Sequence, residues 1–148
     1  MKAITTFFFI LFTVTSYAQK TKSDPLNLDS ITAKSKNYIV AGSGGGFSGE
    51  IIQYYVLSNG SVYRSETLKK ETSLYKKLSK KDTKSLFKKL KALHLEKIDF
   101  NHPGNMSHFI EEHKKGNVHS VKWGDSAMKV PEQVNSFYKF LMDKISSK

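Results

Sequence analysis

From Asn37 the chain is patterned in short runs of β-branched and aromatic residues broken by glycine. Tyr38-Ile39-Val40-Ala41 is followed by Gly42-Ser43-Gly44-Gly45-Gly46-Phe47-Ser48-Gly49, and then by Glu50-Ile51-Ile52-Gln53-Tyr54-Tyr55-Val56-Leu57. Such runs, bounded by turn residues, read as strands. Ser58-Asn59-Gly60-Ser61 leads into Val62-Tyr63-Arg64-Ser65-Glu66. Asn-Gly between two β-prone runs predicts a tight hairpin.

The period changes after Ser79. Ser79 has the form of a helix N-cap, with Asp82 placed three residues on, near the positive end of the helix dipole. Leu86, Leu90 and Leu93 fall within about 60° on a wheel of 3.6 residues per turn, with Phe87 on their shoulder. Lys80, Lys84, Lys88 and Lys91 take the opposite side. The spacing predicts an amphipathic helix over 80–94. The segment 67–78 stays open, because Leu74-Tyr75-Lys76-Lys77-Leu78 fits a short strand or a lead-in turn.

Beyond the loop His102-Pro103-Gly104-Asn105, a second hairpin pairs Ser107–Glu112 with Val118–Trp123 around Lys114-Lys115-Gly116-Asn117. Its simplest register sets Ile110 against Val121, His108 against Trp123 and Glu112 against His119. Pro131 suits a first helical turn, and Val134, Phe137, Leu141 and Ile145 continue at helical spacing. Strands, helix, strands and helix in that order, without long parallel crossovers, predict an α+β fold. The expected form is an antiparallel sheet of 4–5 strands with two helices packed on one face.

The N-terminus differs from all of this. Lys2 precedes a 12-residue apolar or hydroxylated run, Ala3–Val14, and Ser16-Tyr17-Ala18 places small residues where a signal peptidase cuts. The run is short of the roughly 20 apolar residues a spanning helix needs. Residues 1–18 therefore read as a signal peptide, 19–36 as a polar linker docking at Leu26 and Leu28, and 37–148 as a single domain. The expected destination is the periplasm or the extracellular space.

Cleavage after Ala18 takes 18 of the 148 residues and one lysine, so 130 remain and the net charge of +11 becomes +10. A chain of that size buries roughly two-thirds of its unfolded surface, enough for one self-sufficient core. The absence of cysteine excludes disulfide scaffolds, thiol catalysis, Cys-ligated zinc and a lipid-modified cysteine. Hydrophobic residues at 39% are too many for a disordered polyelectrolyte.

Candidate chemistry is sparse. A phosphate-cradling loop needs a helix after its glycines, whereas here a strand follows and Gly-Lys-Ser/Thr is missing. Those glycines read as a connection between antiparallel strands where positive φ is needed, or as a flexible mount presenting Phe47 to a partner. Five histidines invite a metal, but no His-Glu-x-x-His or helical i, i+4 pair occurs, so neither metal nor cofactor is expected. Glu111 and Glu112 are adjacent and point to opposite faces of a strand, which excludes a paired acid and base. An enzyme would need at least two of His108, His113, His119, Glu111 and Glu112 in one pocket. No activity is expected.

Lysines crowd residues 69–91, with Lys80, Lys84, Lys88 and Lys91 along one helix face. This face is either solvated or attracted to an anionic surface, a glycan or an acidic protein. Nucleic acid is disfavoured because phosphate readers use arginine forks and the chain has one arginine, Arg64.

Taken together, Gly45-Gly46-Phe47-x-Gly49 after a short strand, the Leu86/Leu90/Leu93 helix, the strand containing His119-Ser120-Val121 and the helix after Pro131 resemble emfourin-like proteins. These are small bacterial inhibitors of thermolysin-type metalloproteases. The resemblance spans roughly residues 38–145; the signal peptide, the polar extension and a lysine-rich insertion around 67–78 depart from it. It implies a fold of this type, and it marks Gly45, Gly46, Phe47 and Gly49 as a contact loop for a protein partner, with a metalloprotease as the partner the resemblance implies.

Overall fold

A computed structural model describes residues 26–147. The expected signal peptide and residues 19–25 of the linker lie outside the described residues. In chain order the elements are α1 (Leu28–Ala33), β1 (Asn37–Gly45), β2 (Glu50–Leu57), β3 (Ser61–Glu66), β4 (Glu71–Lys77), α2 (Lys80–Leu93), β5 (Asn101–His102), β6 (Met106–Lys114), β7 (Asn117–Trp123) and α3 (Glu132–Ser146). A single 3-10 turn, Leu95–Lys97, follows α2.

All seven strands form one sheet in the order β4-β3-β2-β1-β6-β7-β5, with β1 at its centre. Side chains alternate between the two faces. On one face Ile39 sits opposite Val56, Ala41 opposite Ile110, and Ile110 opposite Val121. Leu86 and Leu90 of α2, with Val134, Phe137, Leu141 and Ile145 of α3, close over that face as the core. Leu86 and Leu141 are completely buried, and truncating such a side chain to alanine costs about 2–5 kcal/mol.

The opposite face carries Tyr38, Val40, Tyr55 and Phe109, and α1 lies against it with Ile31 buried. Asn27 caps this short helix, its side-chain oxygen accepting from the Asp29 amide at 2.9 Å.

The expected antiparallel sheet of 4–5 strands is corrected by this topology. The protein is α+β, but its sheet has seven strands and is mixed, because β5 runs parallel to β7. Nor are there two helices on one face alone, since α1 adds a third on the other. Each missed element makes few burying contacts. In β4, Leu74 and Tyr75 remain exposed and only Thr72 and Lys76 are half-buried, so apolar alternation has no cause there. The register shift between Val62 and Tyr63 places Tyr75 and Lys76 together opposite Val62.

Two residues make β5, held by Phe100 O accepting from Lys122 N at 3.1 Å and His102 O from Asp125 N at 3.1 Å. Nothing so short has a period. Within the expected linker, Ile31 makes the anchor while Leu26 is 44% exposed.

The second hairpin has the register Ile110–Val121, His108–Trp123 and Glu112–His119. In the first, Gly60 takes φ +87°, and the Asn59 side chain accepts from the Ser61 amide at 2.9 Å. Ser79 caps α2, accepting from the Asp82 amide at 3.0 Å, and the helix ends at His94 in the left-handed conformation. Among the described residues no helix is long and apolar enough to cross a membrane.

Candidate functional site

The glycine-rich segment divides in two. Gly42 to Gly45 belong to β1, and Gly46-Phe47-Ser48-Gly49 make the turn to β2. Gly45 has φ +119°, and a Cβ there would lie 2.2 Å from the Asn105 carbonyl oxygen. That same oxygen accepts the Gly46 amide at 2.7 Å. Glycine at 45 is thus demanded by both backbone angle and close approach. The turn closes with Gly49 N donating to Gly46 O at 3.3 Å and Glu50 N to the Ser48 hydroxyl at 3.3 Å.

Phe47 stands at the tip, fully in solvent at 112% relative exposure. Met106, the register partner of Gly45, is 52% exposed, and its sulfur lies 3.1 Å from where a Cβ on Gly46 would sit. A large aromatic on the turn and a thioether at the start of β6 therefore lie at one end of the sheet, where the turn is bonded to Asn105.

Beneath this turn is an aromatic cluster that the sequence pattern did not single out. Tyr138 of α3 donates to the Gly42 carbonyl at 3.2 Å. Its oxygen then accepts from His108 Nδ1, 3.3 Å away, because the phenol proton is already given to Gly42, so this network places a proton on Nδ1. Trp123 completes the cluster, edge-on to Tyr138 with centroids 5.1 Å apart. Burial pushes the Tyr138 phenol above its usual pKa, a hydrogen bond with Ser43 opposing the shift. The phenol stays neutral and remains a donor.

The other candidate acids and histidines do not converge with His108. On the α1 side of the sheet, His113 stacks on Tyr38 at 4.3 Å and donates from Nε2 to Glu111 at 2.9 Å. Glu112 and His119 are cross-strand partners on the opposite face and line a small cleft together with Glu96. Glu111 and Glu112 do point to opposite faces. Among the described residues no group of three His, Asp or Glu side chains is placed to hold a metal ion.

Lys80, Lys84, Lys88 and Lys91 are all exposed along α2. Among the described residues the ion pairs do not involve them; the helix is linked to α3 instead by Asp82 and Lys144 at 2.6 Å. Contact with Lys144, and then with Ser79, holds the Asp82 carboxyl below its ordinary pKa.

The chain matches no protein-family model, and no curated protein matches it significantly.

Proposed function

We propose that this protein is an exported, non-enzymatic binding domain that contacts a protein partner through the turn at Gly46-Phe47-Ser48-Gly49. One observation carries the reading: Phe47 is fully exposed at the tip of a turn whose base is fixed by backbone hydrogen bonds. A large exposed side chain costs solvation in the free protein and is the type of group that anchors interfaces. Rigid mounting lowers the ordering entropy lost on binding. The resemblance to emfourin-like inhibitors suggests a thermolysin-type metalloprotease as the partner. Titrating the purified protein against such proteases tests this, with slowed peptide hydrolysis at micromolar protein as the expected result. Undiminished hydrolysis discards the inhibitor branch, and equal partner recovery by wild type and Phe47→Ala in pull-downs discards the turn.

A second reading is favoured by Lys80, Lys84, Lys88 and Lys91 of α2, which make no ion pair among the described residues: an anionic polymer or envelope surface binds the basic side of the protein. Its signature is retention on anionic matrices that falls steeply with salt.

A further inference from the structure

Strand β1 runs from Asn37 to Gly45, so the end of the sheet at Asn37 is remote from Phe47. Two clefts open there. The first, about 780 Å3, lies between α1 and the β6–β7 turn, where Lys36, Lys114 and Lys115 surround the stacked Tyr38–His113 pair. The second, about 590 Å3, lies between the β2–β3 turn and the start of α2, where Lys80 and Lys84 flank Phe87.

The clefts meet at consecutive residues. Lys36 lines the first and Asn37 the second. Lys36 O accepts from Lys115 N at 2.9 Å, and Asn37 is the register partner of Lys114. Lysines from three distant segments are thereby gathered around one end of β1. Against these five lysines, Asp29 lines the first cleft and no carboxylate lines the second. Glu96 and Glu112 share a smaller neighbouring cleft with Lys114 and Lys115, leaving the pole cationic.

The remaining lining describes the ligand. Thr32, Ser35 and Asn117 in the first cleft, and Asn37, Ser58 and Asn59 in the second, are neutral hydrogen-bonding groups of the kind that pair with hydroxyls. Lysine ammoniums are point charges that pair with anions spaced along a chain, without the planar fork with which arginine holds a carboxylate or phosphate bidentately. The one arginine, Arg64, is engaged with Glu66 at 3.1 Å. We propose that this pole binds an acidic polysaccharide, laid across the Lys36–Asn37 end of the sheet with a charged sugar at each cleft. The inference deepens the polyanion reading above and moves its site from the length of α2 to the end of the sheet.

The test is calorimetric titration of the full chain with an alginate octasaccharide, a neutral dextran oligomer and single-stranded DNA of equal length. Alginate is expected to bind, dextran not, and DNA more weakly. Lys36→Ala/Lys115→Ala and Lys80→Ala/Lys84→Ala should each weaken alginate about fivefold or more at low salt, and Lys88→Ala/Lys91→Ala less than about twofold, although each pair removes the same charge. Melting curves confirm that the variants fold. Equal losses in all three pairs overturn the pole and leave the polyanion reading standing. Tighter binding of DNA overturns the glycan. No binding of any anionic probe removes both.

Discussion

The Tyr138 hydroxyl donates to the carbonyl of Gly42 across 3.2 Å, joining groups 96 positions apart in the chain. This bond ties the last helix to the central strand just before the strand leaves the sheet to form the exposed turn. His108 and Trp123 pack around the same phenol, so β1, β6, β7 and α3 all meet under the candidate contact loop.

Tyr138→Phe should lower the stability of the protein by about 1–2 kcal/mol, because a half-buried hydrogen bond is lost while ring packing is kept. Urea denaturation measures this. The amides of Gly45 and Gly46 should also exchange faster in the variant. Unchanged stability and exchange would show that the phenol does not brace the turn.

Gly45 and Gly49 both have positive φ but should respond differently to alanine. At Gly49, with φ +64°, nothing lies within 4 Å of an added Cβ, and only backbone strain of about 1–2 kcal/mol applies. At Gly45 the Cβ collides with the Asn105 carbonyl, and Gly45→Ala should cost about 2–4 kcal/mol. Similar melting temperatures for the two variants would contradict the stapled turn.

Phe47→Ala should leave stability within about 0.5 kcal/mol of wild type, because the side chain makes no burying contact to lose. A partner that reads the turn should nevertheless lose most of its affinity. Thermal melting and partner titration on the same sample separate the two effects. A large drop in melting temperature would mean that Phe47 packs in solution and is no free anchor.

The ion pair between Asp82 and Lys144 makes stability depend on acid. The folded-state pKa of Asp82 is depressed relative to the unfolded chain. Its contribution is therefore present above the unfolded carboxyl pKa of about 4 and is lost as pH falls through the lower folded value. Asp82→Asn should lower the melting temperature near pH 7, where the pair contributes, and converge with wild type as pH falls below the unfolded carboxyl pKa, so that the acid limb flattens. Parallel limbs in both proteins would exclude the pair as a source of the acid sensitivity.

Elements whose side chains are sorted by burial could be read from the residues. Leu86 and Leu90 of α2, the Val134-Phe137-Leu141-Ile145 stripe of α3 and the Ile110–Val121 pair show their period because one side meets the core and the other meets water. The Asn59-Gly60 turn was legible because its backbone angles favour those residue types. The same holds for glycine at 46 and 49, with Phe47 between them.

Only tertiary structure could decide the rest. β4 and β5 exist because the backbones of β3 and β7 offer them hydrogen bonds, and backbone pairing leaves no mark on side-chain pattern. The parallel pairing of Asn101 and His102 with Lys122 and Trp123 follows from where the chain returns after α2. Whether a lysine is an isolated solvated charge or part of a pole depends on distance in space. Lys36, Lys80 and Lys115 are far apart in sequence and line clefts at the same end of the sheet only because β1 lies between β2 and β6. Tyr138 likewise reads as a helix residue until the fold places its hydroxyl on Gly42.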